Sequence, residues 1–240
     1  MNSLQMTKPL FASLDIYHDI ASRAAALNMA LDEALLETAQ VPSIRFYKWD
    51  HTALSFGYFG KFADVENQQT ERDLVRRWTG GGIVFHGNDL TYSIAIPASA
   101  PAFSESSMSI YENVHRALSN ALVSSGVRVE LASIGSDAAL RRPRTARRTV
   151  PIDFCFANPV RADVLSNGRK IAGAAQRRTR RGLLQQGSIQ NVDLSNEFAD
   201  QFASELCFQC YHKALDERLI ARAHEIAEQR YGAASWLQRR

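Results

Sequence analysis

The dipeptide Asn167-Gly168 places the tightest restriction on what this chain can fold into. Both central residues of a two-residue type I′ turn need positive φ, which Asn and Gly tolerate best, so the flanking segments must run antiparallel. The spacing predicts a hairpin joining Ala162–Ser166 to Arg169–Ala175. Gly182 then closes a basic turn, and Leu183–Val192 returns as a further strand.

The remaining periodicities fill in around this hairpin. Between Ile20 and Thr38, Leu27, Leu31, Ala34 and Leu35 recur at helical spacing, and Pro42 stops the helix. Ser43–Trp49 alternates as a half-buried strand, Asp50-His51 supplies a turn, and Ala53–Phe59 reads as its antiparallel neighbour. Ile83–His86 and Leu90–Ile96 read as a second strand pair around Gly87-Asn88-Asp89. In the latter strand Leu90, Tyr92, Ile94 and Ile96 share a face. Ile110, Val114, Leu118, Ala121 and Leu122 stripe a helix over Ser107–Ser124. The two prolines of Arg141–Pro151 make it a loop, and helices are expected over Glu197–Tyr211 and Leu215–Tyr231. Helices before, within and after runs of hairpins indicate an α+β domain rather than a doubly wound sheet.

Composition removes several classes. Of 240 residues, 45% are hydrophobic and 22% charged, which excludes wholesale disorder. No uncharged apolar run approaches the roughly 18 residues of a membrane span. Met1–Pro9 carries no apolar core of a secretory signal, and three cysteines do not make a disulfide framework, so the cytoplasm is the expected compartment. The net charge of +3 conceals an asymmetry: Arg141–Arg181 holds 12 basic and two acidic side chains on an otherwise acidic body. Such a segment is either a solvated loop or the approach to an anionic partner.

Two segments can carry chemistry. Arg76-Arg77-Trp78-Thr79-Gly80-Gly81-Gly82 precedes a strand that ends at His86. Three glycines let backbone N–H groups approach a ligand, and two arginines can neutralise an anion. The spacing is neither a dinucleotide fingerprint nor a P-loop, and a triple glycine is also an ordinary turn. In Gly168–Arg178, Lys170, one of five lysines against 23 arginines, leads to the small residues Ala172, Gly173, Ala174 and Ala175, then Gln176. An edge-strand lysine is the plain alternative. Cys155 stands between this hairpin and the Arg-rich loop, where a cation could favour its thiolate, although a cysteine between two phenylalanines also suits a core. Cys207-x-x-Cys210 is half a zinc or redox motif without a second pair, and reads as two semi-buried helix residues. The six histidines show no ligand spacing, and no nucleophile elbow occurs, so no metal is expected.

Taken in order, these segments resemble the biotin/lipoate protein ligase superfamily, in its lipoate-ligase-A-like and octanoyltransferase branch. The resemblance is carried by Leu27–Leu36, Arg45–Trp49, Leu54–Tyr58, Arg76–His86, Gly168–Arg178, Gln185–Ile189 and Tyr231–Trp236. It spans about 26–236 and implies a single α+β catalytic domain over 26–240, with a mixed, largely antiparallel sheet and flanking helices, preceded by an extension over 1–25.

That resemblance implies an acyl pocket lined by the arginine-glycine loop and the lysine strand. Its substrate contacts would be Arg76, Arg77, Thr79, Gly80, Gly81, Gly82, His86, Asp163, Gly173, Ala174, Ala175 and Gln176. Transferases of this branch use a cysteine ahead of the lysine hairpin, and Cys155 stands fifteen positions before Lys170, making these two the expected catalytic pair. The implied reaction moves an octanoyl or lipoyl group from acyl carrier protein to a lysine of a lipoyl domain or glycine-cleavage H-type protein. It needs no metal, nucleotide, nucleic acid or membrane. The alternative is a lipoate ligase that spends ATP and Mg on an acyl-adenylate. Such ligases often carry an accessory domain, which a chain ending at Arg240 is expected to lack. Their usual Asn-Asp ahead of the lysine is Ala162-Asp163 here.

Overall fold

A computed structural model describes residues 8–133 and 159–239. The chain opens with strand β1 (Phe11–Arg23), which crosses through helix α1 (Ala25–Thr38) to the parallel strand β2 (Ser43–Trp49). β1 lies inside the main sheet, between β2 and β11 (Cys207–Lys213), so 11–23 within the expected extension is structural. The helix starts at Ala25, five residues later than its periodicity suggested.

A small sheet follows, formed by β3 (Ala53–Phe56), β4 (Asp73–Arg76) and β5 (Ile83–His86) in the order β4-β3-β5. This overturns two pairings expected from sequence. β3 leaves β2 to pair with β4 and β5, and β5 does not pair with β6 (Leu90–Pro97). Instead β6 lies antiparallel between β2 and β10 (Gly182–Ile189) in the large sheet. Proximity in sequence favours a hairpin only when both strands can bury the same face, and here they bury against different layers.

Helix α2 (Ser107–Ser124) begins where the Ser106 hydroxyl accepts from the Ser109 N–H at 3.0 Å, and its expected stripe is buried. Short β7 (Glu130–Leu131) and β8 (Val164–Ser166) lead to β9 (Arg169–Arg178). The β8–β9 turn carries φ of 50° at Asn167 and 72° at Gly168, as the dipeptide required. Helix α3 covers only Phe198–Leu206, because the chain then extends into β11, where a helix was expected to Tyr211. Cys207 and Cys210 lie on that strand and are bonded to each other as a disulfide, which corrects their reading as helix residues. Helix α4 (Glu217–Ile226), capped by Asp216, and the short α5 (Ala234–Leu237) complete the chain.

The large sheet has the order β11-β1-β2-β6-β10-β9-β8-β7, parallel only where β1 meets β2 and β11. The α+β class with a mixed, largely antiparallel sheet is therefore what the chain adopts. One face packs Tyr92, Ile94, Ile96 and Leu183 against α2 and α3. The other packs Tyr47, Trp49, Ala95 and Leu184 against α1 and α4. No helix among the described residues is long and apolar enough to cross a membrane.

Candidate active site

A cavity of about 290 Å³ opens where the small sheet meets the large one, near the lower end of sizes typical of small-molecule sites. Arg77, Gly81, Gly82 and His86 line it from the small-sheet side. Lys170, Gly173, Ala174 and Ala175 line it from β9. These segments, about ninety positions apart in sequence, are thus brought together at one cavity. Met29, Trp49, Ser55 and Gln186 complete much of the wall.

The glycine loop has a polarity imposed by its surroundings. The Tyr58 N–H donates to Thr79 O at 2.9 Å, and Arg77 Nη2 donates to Gly80 O at 3.1 Å and Gly82 O at 2.7 Å. Gly81 O rests on Gly57, where a Cβ would stand only 2.0 Å away. Gly81 itself has φ of 82°, which a side chain would strain. With four successive carbonyls held this way, the N–H groups of Gly80, Gly81 and Gly82 have no acceptor among the described residues. Unspent donors beside an apolar cavity suit an oxyanion or carbonyl oxygen.

Opposite them, Lys170 Nζ pairs with Asp163 Oδ2 at 2.8 Å, with the carboxylate wholly buried. Tyr111 donates to Asp163 Oδ1 at 2.6 Å, and the Val160 N–H donates to Oδ2 at 2.7 Å. Tyr111 Oη in turn accepts from the Ala174 N–H at 3.2 Å, tying the lysine's carboxylate to its own strand. Burial, reinforced by the Asp163 charge, raises the Tyr111 phenol far above its ordinary range, so it remains a donor. Behind it, His115 Nδ1 faces Ala162 O at 2.8 Å, and burial depresses this imidazole to about 4. Asp163 does not itself line the cavity; it fixes Lys170.

Two further networks were not legible in the motifs. Gln186 reaches the cavity wall, accepts from Thr79 Oγ1 at 2.7 Å and donates to Asp32 Oδ2 at 2.7 Å. Asp32 also receives Arg45 Nη1 at 2.9 Å, Tyr47 at 2.9 Å and Ser93 at 2.6 Å. The helix and strand motifs around Asp32 and Arg45 thus anchor the pocket from beneath. Secondly, Ser55 Oγ lies 2.6 Å from His86 Nε2, and His86 Nδ1 lies 2.8 Å from Asp89 Oδ2. Burial lowers the His86 pKa despite the Asp89 charge and keeps the ring neutral. Burial pushes the Asp89 carboxyl up, but hydrogen bonds from His86, Gly87 N and Ser188 outweigh it and hold Asp89 ionised. The signal for this network was period-2 placement of Ser55 and His86 on neighbouring strands, unreadable until β3 and β5 were known to pair.

Other expected contacts stand apart from the cavity. Arg76 donates to the carbonyls of Tyr58, Gly60, Trp236, Leu237 and Arg239, clamping the chain's final turn. Thr79 acts through Gln186, and Gln176 donates to Gln185 at 2.7 Å. Cys155 and the stretch Arg141–Arg148 lie outside the described residues, while Val160, five positions after Cys155, lines the cavity. His18, Asp200 and His212, and separately Asp50, His51 and Asp73, bring potential metal-ligand atoms together at the surface, away from the cavity.

Residues 24–218 match the model of the lipoyl protein ligase A/B catalytic domain. Octanoyltransferase LipM of Oceanobacillus iheyensis is 37% identical over 173 residues, 69% of this chain and 59% of its own length. The chain spans about three fifths of the length of the first curated relatives it matches. Among solved structures, lipoate-protein ligase A bound with ATP superposes with a TM-score of 0.69 at 20% identity, over 95% of this chain and 98% of the other. A bi-partite lipoate protein ligase from Thermoplasma acidophilum, solved in a study with its E2 lipoyl domain, gives 0.68 at 18% identity, over 95% and 96%. These two likenesses concern the fold.

Proposed function

The chain belongs to the lipoyl protein ligase A/B catalytic domain family, and from that premise we propose that it moves an octanoyl or lipoyl group between proteins. The acyl group passes from a carrier-protein thioester, through a thioester on Cys155, to a lysine of a lipoyl carrier domain. The observation that carries this reading is the pairing, across one cavity, of the Lys170 ammonium with a glycine loop whose N–H groups are unspent. The relatives named octanoyltransferase support the transfer, and the neighbour studied with a lipoyl domain supports the acceptor.

The chemistry balances without an activating nucleotide, because a thioester already carries a leaving group. Cys155 sulfur bonds to the acyl carbon, the carrier's C–S bond breaks, and its thiolate takes the proton. The acceptor amine then attacks, and Cys155 leaves as thiol. Lys170 favours the thiolate and the glycine loop receives the oxygen charge of each tetrahedral intermediate.

Intact-mass analysis after mixing with octanoyl-acyl carrier protein, ATP absent, is the test. A mass gain of one octanoyl group, lost from Cys155→Ala and chased off by a lipoyl domain, is expected. Acylation seen only with free octanoate, ATP and Mg would replace this mechanism by an acyl-adenylate ligase.

A further inference from the structure

The acyl chemistry above has no use for Ser55, His86 or Asp89, although all three are buried and two of them line the cavity. Burying three polar side chains in a row is costly unless each is satisfied, and here the satisfaction has a direction. Asp89 is ionised and accepts four hydrogen bonds, from the Gly87 N–H, Thr91, Ser188 and His86. An ionised carboxylate cannot donate, so the proton must sit on His86 Nδ1. His86 Nε2 is then an acceptor, and the Ser55 hydroxyl must donate to it. That leaves the Ser55 oxygen to accept from Arg77 Nη1 at 2.6 Å. The other Arg77 nitrogen holds Gly80 O and Gly82 O. Trp49 stacks on the imidazole at 4.0 Å and fixes the plane of the ring.

We infer that Ser55, His86 and Asp89 are positioning residues that act through Arg77 to hold the Gly80–Gly82 loop with its N–H groups available to the acyl carbonyl. The inference rests on the acyl-transfer reading for its consequence, but not for its geometry. Through Arg77 the network reaches two carbonyls of the loop that lines the cavity.

The test compares Ser55→Ala, His86→Leu and His86→Gln in the full chain. Ser55→Ala removes the central oxygen with little change in volume. His86→Leu removes the acceptor, whereas His86→Gln can place a carbonyl oxygen where Nε2 stood. Backbone 15N order parameters at Gly80, Gly81 and Gly82, read without substrate, should fall from about 0.85 to below about 0.6 in Ser55→Ala and His86→Leu. They should stay near wild type in His86→Gln. Steady-state octanoyl transfer should fall about 10- to 100-fold, as a loss in kcat with the KM for the acyl carrier within about twofold. Wild-type order parameters at the three glycines in Ser55→Ala would overturn the inference, as would an octanoyl group found on Ser55 itself. A wild-type protein that takes no acyl group would defeat the acyl-transfer reading alone, since the order parameters still decide whether the relay holds the loop.

Discussion

Gly173→Ala separates the position of the Lys170 ammonium from the integrity of the fold. A Cβ at residue 173 would lie 2.4 Å from Lys170 Cε, 2.5 Å from its Nζ and 2.9 Å from Asp163 Oδ1. The atoms struck first are the end of a flexible side chain, so the lysine swings away while the backbone stays. Asp163 keeps the Tyr111 hydroxyl and the Val160 N–H, which limits the penalty of losing the ammonium to about 1–3 kcal/mol. Replacing Gly within a strand returns about 0.5–1 kcal/mol of that. At this chain length each kcal/mol moves Tm by about 2–4 °C, so the variant should melt within about 10 °C of wild type. Loss of one group polarising an oxyanion costs about 100- to 1000-fold. Single-turnover transfer from octanoyl-acyl carrier protein, followed by intact mass beside a thermal scan, should show a folded and nearly inactive protein. A folded Gly173→Ala protein that transfers at the wild-type rate would remove Lys170 from the chemistry.

Gly57→Ala makes the opposite case, because its Cβ meets backbone: Gly81 O at 2.0 Å and Gly80 O at 2.6 Å. It should lose about 1–3 kcal/mol in urea unfolding and displace the glycine loop, with activity lost alongside stability. His115 sets an acid limb. With its folded pKa depressed to about 4 and the unfolded value near 6.5, the unfolded chain binds the extra proton, so this contribution is complete above about pH 6.5 and decays as pH falls towards 4. It amounts to about 3 kcal/mol, and urea midpoints of His115→Gln should be flatter across that window than those of wild type. Cys155→Ala should abolish acyl-enzyme formation, whereas Cys207→Ala and Cys210→Ala, on the far edge strand, should leave the initial rate of transfer within about twofold.

The parts of this protein that its sequence determined are those governed by a few adjacent dihedrals or by one periodicity. Asn167-Gly168 fixed its hairpin because positive φ is a property of those two residues. The Ile110–Leu122 stripe fixed α2 because an amphipathic helix needs only a layer to lie on, whichever layer that is. The order of glycine loop and lysine hairpin identified the family, since several motifs in sequence are specific where each alone is not. Strand partners obeyed no such local rule. β2 and β3 are joined by a short turn yet enter different sheets, while β1 earns its place between β2 and β11, a strand almost two hundred residues later. β11 reads as the continuation of a helix until it gains that parallel neighbour, whose ladder replaces the helical hydrogen bonds. The same holds for the site. Ser55, Asp32 and Gln186 are ordinary polar residues in their own segments, and they acquire a role only because the two sheets and α1 bury them against Arg77, Arg45 and Thr79. Such convergence depends on which surfaces the whole core brings together, and that is decided by contacts between residues far apart in the chain.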